Sequence, residues 1–519
     1  MVDLRPDQLA TVLAILQAKA PEYEVWAFGS RAKWTAKDKS DLDLALVASE
    51  RIPLSKLGRL RDAFTDSYLP ITVDVVDIHR VSDEFRKIIE SQKVVLQKAT
   101  TVAATETDRS KWQTRPLDEC LETLIDYRGK TPKKVSSGIP LITAKVVKNG
   151  RIETPDEFIA EEDYEGWMRR GFPQAGDVLL TMEAPLGEVA QLDDRKVALA
   201  QRLVALRGKQ GLLDNWFLKY LLQSSSVQDQ LKSRATGTTV LGIKQSELRK
   251  INLTLPPLPE QRAIASVLGA LDDKIELNRR MNETLEALTQ TLFKSWFVDA
   301  TQSALPKGWK LTRLKDLTTK IGSGATPRGG SAVYVEEGVA LIRSQNVYDH
   351  EFHWDGLARL ADEAAKELQG VEVKPEDILF NITGDSILRT CVVEPEVLPA
   401  RVNQHVAIIR AKPGIPPRFL HLFLVQPQTK HFLAGLDAGA TRRAVTKGQL
   451  EAVAVLEPPA EVLTKFAELT DPMFRRINSN RSESRTLAAL RDALLPKLLS
   501  GELRVPTAGK IIASTAGKE

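Results

Sequence analysis

The sequence predicts a multidomain α/β protein. A small α/β domain comes first, and two α+β domains follow, joined by two long helices that pack on each other as a coiled coil. Three observations predict this. A chain of 519 residues is too long for one ordinary hydrophobic core. Its first part alternates short helical and strand patterns. The remainder is one arrangement of motifs that occurs twice.

Composition excludes several classes of protein. Hydrophobic residues make up 43% of the chain and charged residues 27%, which is typical of a globular protein rather than a disordered one. The net charge of +4 permits nucleic-acid binding without requiring it. Cys120 and Cys391 offer neither a disulfide framework nor a cysteine zinc site. The start, MVDLRPDQLA, is unlike a signal peptide, and we expect a cytoplasmic protein without a membrane partner.

Residues 1–98 are predicted to form the small α/β domain. Periodicity predicts helices over Pro6–Ala20, Leu54–Phe64 and Ser82–Glu90, and strands over Glu24–Phe28, Leu42–Val47 and Thr72–Val76. Residues 99–110 are small and polar without periodicity, as expected of a linker.

The candidate chemistry of this domain lies in AFGSRAKWTAKDKSDLDLAL. Gly29 and Ser30 follow an apolar strand, where a glycine lets backbone amides approach a phosphate and the hydroxyl adds a donor. Asp41 and Asp43 alternate and so face the same way, and Asp74 lies in a third strand. Carboxylates that converge in this way can hold two divalent ions, and Mg²⁺ prefers such oxygen ligands.

Two long segments of the remaining chain match each other in order and nearly in spacing. WQTRPLDECLETLIDYRGKTP matches WKLTRLKDLTTKIGSGATP about 200 residues later. GIPLITAKVV matches GVALIRSQNV, AGDVLLT matches PEDILFN, and LAQRLVALR matches VNQHVAIIR. ATGTTVLGIKQSEL matches AGATRRAVTKGQL. A duplication explains these matches far better than chance.

Each copy has the same internal order, and this order predicts the domain boundaries. A strand-rich globular part is followed by a Pro-rich hinge and then a long helix. The predicted segments are globular domains at 111–256 and 304–457, long helices at 257–300 and 458–503, and a tail at 504–519.

The long helices carry a heptad seam. Ile264, Leu271, Leu285 and Leu292 lie at multiples of seven, with Leu268, Ile275 and Trp296 at the complementary positions. Asn278 and Asn480 occupy equivalent seam positions, where a buried polar residue can fix register. An ordinary amphipathic core helix is the alternative for either helix alone. Pro472 and Pro496 are expected to kink or end the second helix locally.

Two similar domains on a helical rod suggest a protein that reads two stretches of one DNA duplex. About 40 helical residues span about 60 Å. Since the copies are not identical, their half-sites should differ. Arginine and asparagine can read base edges, while lysine and threonine can hold phosphates. Ordinary solvated loops are the alternative for any single residue. The candidate DNA contacts are Arg128, Lys130, Lys133, Lys134, Arg234, Thr238, Lys244, Arg328, Arg343, Asn346, Arg442, Arg443 and Lys447.

Residues from about 110 to 505 resemble the specificity subunit of type I restriction–modification systems. The most specific stretch is LPPLPEQRAIASVLGALDDKIELNRRMNETLEALTQTLFKSWFVD, from Leu255 to Asp299. The resemblance implies two target-recognition domains that read a split, asymmetric site in double-stranded DNA. It also implies helical spacers that dock two methyltransferase subunits, which are joined by restriction motor–nuclease subunits in phage defence. S-adenosylmethionine and ATP belong to those partners. EPPAEVLTKFAEL departs from the family pattern at the start of the second helix.

The first domain resembles the minimal nucleotidyltransferases of the polymerase-β superfamily, which share Gly-Ser, Asp-x-Asp and a later strand aspartate. The resemblance implies that Gly29, Ser30 and Arg31 lie on the phosphates of a nucleoside triphosphate. It also implies that Asp41, Asp43 and Asp74 are the catalytic, Mg²⁺-binding carboxylates. Trp34 departs from the pattern, since many relatives carry glycine there. Asp77 is a rival for the third carboxylate but has the opposite side-chain parity.

Three functional hypotheses follow. The first is a DNA-specificity subunit that carries a nucleotidyltransferase-like domain. The second is an active nucleotidyltransferase that modifies a protein or nucleic-acid partner and is targeted by the repeats. The third is a decoy or regulator of phage defence with neither activity. Relatives of the first domain also act as antitoxins, which is an implication of the resemblance alone.

Overall fold

The computed structural model describes residues 2–20, 23–37, 40–48, 52, 54–65, 67, 69–97, 111–127, 129, 131–301, 304–435 and 444–505. The chain divides into two compact units, residues 1–265 with 496–519, and residues 266–495. The predicted fold class, a small α/β domain followed by a duplicated α+β arrangement with long helices, is confirmed.

The first domain is a four-stranded mixed sheet flanked by helices. Its sheet order is β3-β2-β1-β4, in which β2 and β3 are parallel and β1 pairs antiparallel with β2 and β4. The apolar residues of the strands pack with those of α1 and α3, including Val12, Leu16 and Leu60, as the periodicity predicted. The elements are α1 (Pro6–Lys19), β1 (Glu24–Phe28), α2 (Gly29–Ala32), β2 (Leu42–Val47), α3 (Leu54–Thr65), β3 (Val73–Asp77), α4 (Asp83–Gln92) and β4 (Val94–Gln97).

The first copy of the duplicated arrangement is built on a four-stranded antiparallel sheet with the order β12-β11-β14-β6. Its strands are β5 (Gln113–Pro116), β6 (Leu121–Asp126), β7 (Ile139–Ile142), β8 (Val147–Lys148), β9 (Arg151–Ile152), β10 (Phe158–Ile159), β11 (Val178–Met182), β12 (Leu186–Gln191), β13 (Ala198–Leu199), β14 (Leu203–Gly208) and β15 (Asn252–Leu255). Its helices are α5 (Leu117–Cys120), α6 (Tyr164–Trp167), α7 (Asn215–Gln223), α8 (Ser225–Ser233) and α9 (Gln245–Leu248). The pair β15-β5 closes the domain at the hinge.

The second copy repeats this topology. Its four-stranded sheet has the order β17-β24-β21-β22, and β16-β25 closes it at the second hinge. Its strands are β16 (Lys310–Arg313), β17 (Thr318–Ser323), β18 (Tyr334–Ile342), β19 (Ala358–Leu360), β20 (Glu372–Val373), β21 (Ile378–Asn381), β22 (Thr390–Val392), β23 (Ala400–Val402), β24 (Val406–Ala411) and β25 (Ala454–Glu457). Its helices are α11 (Asp362–Glu367), α12 (Pro417–Val425), α13 (Pro427–Gly435) and α14 (Lys447–Ala452).

Both long helices form where the repeat predicts them. The helix α10 runs from Leu258 to Phe293 and continues as a π turn, Lys294–Val298, while α15 runs from Ala460 to Leu499. The helix α15 passes through Pro472 without ending, and Pro496 lies in its last turn, so neither proline ends it early. A proline removes one main-chain hydrogen bond of the helix. Side-chain packing keeps the flanking turns helical, because Phe474 and Ile477 are buried in the hydrophobic core of the second copy.

Within residues 266–495 the two helices pack antiparallel through the predicted seam. Asn278 and Asn480 are fully buried, and the Asn278 amide donates to Glu483 Oε2 at 2.8 Å. The Asn480 amide donates to Asn282 Oδ1 at 2.8 Å. Arg481 bridges to Glu286 across the same interface at 2.7 Å. The polar seam is therefore present, and these bonds can form in only one register.

The two cysteines are free and buried. None of the helices in the described part of the chain has the length and apolar composition that a bilayer crossing requires.

Candidate functional sites

The first candidate site lies at one end of the first domain's sheet. Asp43 and Asp74 are register partners on the parallel strands β2 and β3, so their side chains leave the sheet on the same side. Asp41 precedes β2 by one residue and is exposed, as is Asp74. On the other side of β2, Asp43 is paired with Phe28, the last residue of β1. The three predicted carboxylates therefore lie at the same end of the sheet; we call this group of Asp41, Asp43 and Asp74 the acidic edge.

Gly29 lies directly against this acidic edge. It has φ of +77°, and a Cβ atom there would lie 2.2 Å from Asp43 Oδ2. Only glycine combines that conformation with that closeness. The backbone at Gly29 therefore lies close to the Asp43 carboxylate, while its expected approach to a phosphate stays a prediction.

Arg31 and Asp77 serve the fold. The Arg31 guanidinium is buried, with Nε donating to Ser40 O at 2.9 Å and Nη1 donating to Asp3 O at 2.8 Å. These contacts give Arg31 a structural role, and its expected position close to a triphosphate stays a prediction. Asp77 is buried and accepts from the Ile52 amide at 2.9 Å, so it is not offered to a ligand. Trp34 is 63% exposed and is not packed into the core.

The acidic edge is electrostatically strained. Partial burial, reinforced by the nearby charges of Asp74 and Asp41, raises the pKa of Asp43. A cation placed between these carboxylates would relieve that repulsion. Within the described residues, no three acidic, histidine or cysteine side chains are gathered into a ready ligand set, so an ion would have to draw these carboxylates together. The donor chemistry fits a hard divalent cation.

The central sheet of each larger domain carries an equivalent ion pair with a buried aspartate. Asp177 and Arg207 form a bidentate pair at 2.7 and 2.8 Å in the first copy. Asp377 and Arg410 form the same pair at 2.7 Å in the second. Both aspartates are buried. The matched pairs show that the duplication extends to the interior framework.

The predicted DNA contacts of the first copy lie mostly on its surface. Lys133, Lys134, Thr238 and Lys244 are exposed. Lys134 is paired with Glu157 at 2.7 Å, and the half-buried Arg234 is paired with Glu247 at 3.4 Å. Arg128 and Lys130 lie outside the described residues.

One predicted contact of the second copy is corrected. Asn346 is fully buried, its Oδ1 accepts from the Arg343 amide at 3.1 Å, and its amide donates to His353 O at 2.9 Å. It closes a turn, because a buried amide must satisfy both of its polar atoms locally. Arg343 is half-buried and its guanidinium donates to the Gly356 carbonyl.

The remaining predicted contacts of the second copy are surface residues or fall outside the description. Arg328 is highly exposed and 4.0 Å from Glu367, while the exposed Lys447 is 3.5 Å from Glu451. Arg442 and Arg443 lie outside the described residues.

The structure also shows a polar edge in the first copy that the sequence analysis missed. The Gln201 amide donates to Thr131 Oγ1 at 3.2 Å, beside the buried Pro132. Arg202 forms an exposed ion pair with Glu183 at 3.1 Å. Residue 183 also forms a β-bridge with Gly242, at the end of the TGTTVLG loop. Two predicted DNA loops thus meet around residues that were not predicted.

The second copy has an equivalent edge. Thr326 Oγ1 donates to Gln404 Oε1 at 2.7 Å, beside the buried Pro327. His405 is hydrogen-bonded to Thr383 Oγ1 at 2.6 Å through Nδ1. Comparison of the matching segments LAQRLVALR and VNQHVAIIR could have predicted this edge. Their shared glutamine is followed by arginine in one copy and by histidine in the other.

Comparison with known proteins locates both parts of the chain. Residues 109–287 match the family model of the type I restriction modification DNA specificity domain. Residues 12–101 match the model of the polymerase beta nucleotidyltransferase family.

Individual relatives agree with these matches. The type I restriction enzyme MjaIX specificity subunit of Methanocaldococcus jannaschii is 28% identical over 71% of this chain and 87% of its own length. The probable protein adenylyltransferase MntA of Haemophilus influenzae is 46% identical over 18% of this chain and 84% of its own length.

A solved structure supports the fold. The type I restriction–modification S subunit of M. genitalium matches with a TM-score of 0.50 and 18% identity, over 75% of this chain and 96% of that one. The chain therefore contains a type I restriction modification DNA specificity domain, and its relatives over most of its length are type I specificity subunits, while its N-terminal domain belongs to the polymerase-β nucleotidyltransferase family.

Proposed function

We propose that this chain is the DNA-specificity subunit of a type I restriction–modification complex and reads a split, asymmetric site in duplex DNA. Residues 111–256 would read one half-site, and residues 304–457 would read the other. The carrying observation is a pair of domains with the same sheet order and the same buried ion pair, whose equivalent polar edges carry different side chains. Such domains suit one kind of ligand with two different sequences.

The long helices are the proposed spacers. At 1.5 Å per residue, the 36 residues of α10 span about 54 Å. The antiparallel seam with Asn278 and Asn480 would fix the register of the rod and thereby the gap between the half-sites. We propose that residues 257–300 and 458–503 also dock two methyltransferase subunits, to which restriction subunits bind. The methyl donor and ATP would be bound by those partners.

The test is the methylation pattern of DNA. The purified chain, combined with the methyltransferase subunits of its system, should methylate adenines in one asymmetric motif with a fixed central gap. Mapping the methylated bases on a random-sequence DNA library gives the motif directly. Methylation without a motif, or with an unchanged motif when this chain is omitted, would overturn the proposal.

For residues 1–98 we propose nucleotidyl transfer, with Mg²⁺ and a nucleoside triphosphate as cofactors. The acidic edge of Asp41, Asp43 and Asp74 and the glycine pressed against it support this second function. The carboxylates would hold the ion, and the backbone at Gly29 and Ser30 would receive the phosphates. The bound ion would supply neutralisation of the triphosphate and a lowered pKa for an incoming hydroxyl.

Two measurements test this second function. Mg²⁺ or Mn²⁺ should raise the thermal stability of the wild-type chain but not of Asp41→Ala/Asp43→Ala, and the wild type alone should transfer labelled nucleotide to a partner. Asp62→Ala, an exposed aspartate on α3, is the matched control and should behave as the wild type. If the double variant retains both the cation effect and the transfer, the acidic edge is not the site.

A further inference from the structure

We infer that Arg202 with Glu183, and His405 with Thr383, are the side chains that read bases in the two half-sites. This inference rests on the proposed DNA-reading function and adds the residues that make the half-sites different. It concerns the polar edges described above, each of which lies between a Thr-Pro turn and the loop that precedes α9 or α14.

The main chain establishes that the two pairs are equivalent. The Met182 amide donates to Arg202 O at 2.7 Å, and the Ile382 amide donates to His405 O at 3.0 Å. The same residues accept from the following loop, with Ile243 N bonded to Met182 O at 3.0 Å and Val445 N bonded to Ile382 O at 2.9 Å. The two positions are therefore equivalent in their main-chain hydrogen bonds, although Arg202 has a positive φ and His405 does not.

An equivalent hydrogen bond between a glutamine and a threonine, which we call the clip, lies next to each pair. In both copies a glutamine bonds the threonine of a Thr-Pro turn, with Gln201 on Thr131 and Gln404 on Thr326. In the second copy the turn also lies on the main chain beneath it, with Gly324 N bonded to Asn403 O at 3.1 Å. Since the clip is the same in both copies, it cannot discriminate between two half-sites. Its role is to position the residue that follows the glutamine.

In the first copy, the residue after the glutamine has the properties of a base reader. The side chains of Arg202 and Glu183 are 53% and 45% exposed, so their ion pair is weak and can be exchanged for a contact with DNA. Arg202 has φ of +77°, which a non-glycine residue adopts only where its surroundings enforce it.

The chemistry of the two pairs differs. Arginine can bind both major-groove acceptors of guanine, and glutamate can accept from the amino group of cytosine. In the second copy His405 is bonded to Thr383 and, through Nε2 at 3.1 Å, to the amide of Gln404. That pair presents shorter side chains and a different set of polar atoms to a duplex. Guanine is therefore the base expected opposite Arg202.

The experiment exchanges the pairs in the full chain assembled with its methyltransferase subunits. Arg202→His/Glu183→Thr should alter or relax one or two positions in one half-site, with about tenfold less methylation of the original motif. His405→Arg/Thr383→Glu should alter the other half-site only. Arg195→His/Asp193→Thr is the control, an equally exposed ion pair at the opposite end of the β11–β12 hairpin, and should leave the motif unchanged.

The outcomes separate the two proposals. A wild-type complex without any motif overturns the DNA-reading function itself. A normal wild-type motif that both exchanged variants reproduce overturns only the assignment of the readers and makes the pairs ordinary surface contacts. If an exchanged variant fails to assemble, Arg202→Lys decides, because it keeps the charge but loses the paired donors. It should relax preference at the single guanine, and an unrelaxed motif contradicts the inference.

Discussion

The two copies hold the start of the long helix in chemically opposite ways. In the first, the buried Gln261 accepts from the Asp214 amide at 3.0 Å and donates to Leu212 O at 2.9 Å and Pro256 O at 2.8 Å. In the second, Leu463 occupies the equivalent position and lies within an apolar cluster. Duplication has therefore kept a buried side chain at the start of each long helix, Gln261 or Leu463, while the polarity of that side chain changed. We call this position the joint. The lesson is that the framework constrains burial and geometry, and the chemistry within it diverges.

A second difference concerns protons. His350 has φ of +66° and occupies the position that Gly150, with φ of +80°, has in the first copy. Its Nε2 lies 3.2 Å from the Gln290 amide of α10. Burial lowers the pKa of His350 to about 4, assisted by the cations Lys430, Arg481 and Arg418 and opposed by Asp349. Only the second copy has a titratable group at this position.

The largest expected effect comes from breaking what the copies share. Asp177→Asn and Asp377→Asn should each destabilise their own domain by about 3–5 kcal/mol, since they remove a fully buried carboxylate charge and leave a half-buried arginine without its ion partner. Hydrogen exchange of β11 and β14, and of β21 and β24, measures this domain by domain. Asp193→Asn, in an exposed pair, is the control. A much larger effect in one copy would show that the frameworks are not equivalent.

The second expected effect is a loss of stability at acid pH in the second copy, which alone carries His350. The unfolded chain protonates His350 below pH about 6.5, whereas the folded domain does so only near pH 4, so the stability of the second domain falls as the pH drops through that window. The loss approaches roughly 3 kcal/mol at pH 4. His350→Gly, which introduces the residue that the first copy has at this position, should remove this part of the acid sensitivity, while the buried His421, whose pKa is also lowered, retains its own. Denaturation of the variant at pH 4.5 and pH 7 provides the check; an unchanged pH dependence would contradict it.

Exchanging the joints gives a smaller effect. Gln261→Leu leaves one amide and two carbonyls without their partner and should cost about 1–3 kcal/mol. Leu463→Gln buries an amide among apolar side chains and should cost a similar amount in the second copy. Hydrogen exchange at the first turns of α10 and α15 reports both. Neutral exchanges would mean that the joints are interchangeable.

Substitutions of the two seam asparagines should give the smallest difference in stability. The Asn278 Nδ2 has three acceptors on α15 within hydrogen-bond distance for its two N–H groups, whereas Asn480 donates to Asn282. Asn278→Ala should therefore cost more than Asn480→Ala, by about 1 kcal/mol or less. Thermal unfolding of the two single variants and the double variant compares them. Equal losses would indicate that the seam acts as one symmetric unit.

Much of the fold could be predicted because periodicity and repetition are local properties. The strands Glu24–Phe28 and Leu42–Val47 form where short apolar runs predict them, and most of their residues are buried, as expected of strands that are covered on both faces. The edge strand β4, Val94–Gln97, was missed, because its partly exposed residues leave little pattern. The sequence predicted the second long helix but not whether it would end at Pro472; that α15 is continuous there depends on tertiary packing rather than on local preference.

The candidate sites show the same division. Gly29 and the three aspartates could be predicted because their spacing and strand parity are visible in the sequence. The buried state of Asn346 could not, since an asparagine in a loop is equally suited to capping a turn or facing a ligand. Arg202 and Glu183 lie 19 positions apart and meet only through the pairing of β11 with β14.

The measurement that tests the central claim most directly is the motif methylated by the complete complex when the two copies are made alike. Replacing residues 304–457 with a second copy of 111–256 should convert the asymmetric motif into one whose two halves are both the former first half-site. The control is the unmodified chain, mapped on the same DNA library. A motif that keeps its original second half after the replacement would contradict the account, because the second domain would then not be its reader.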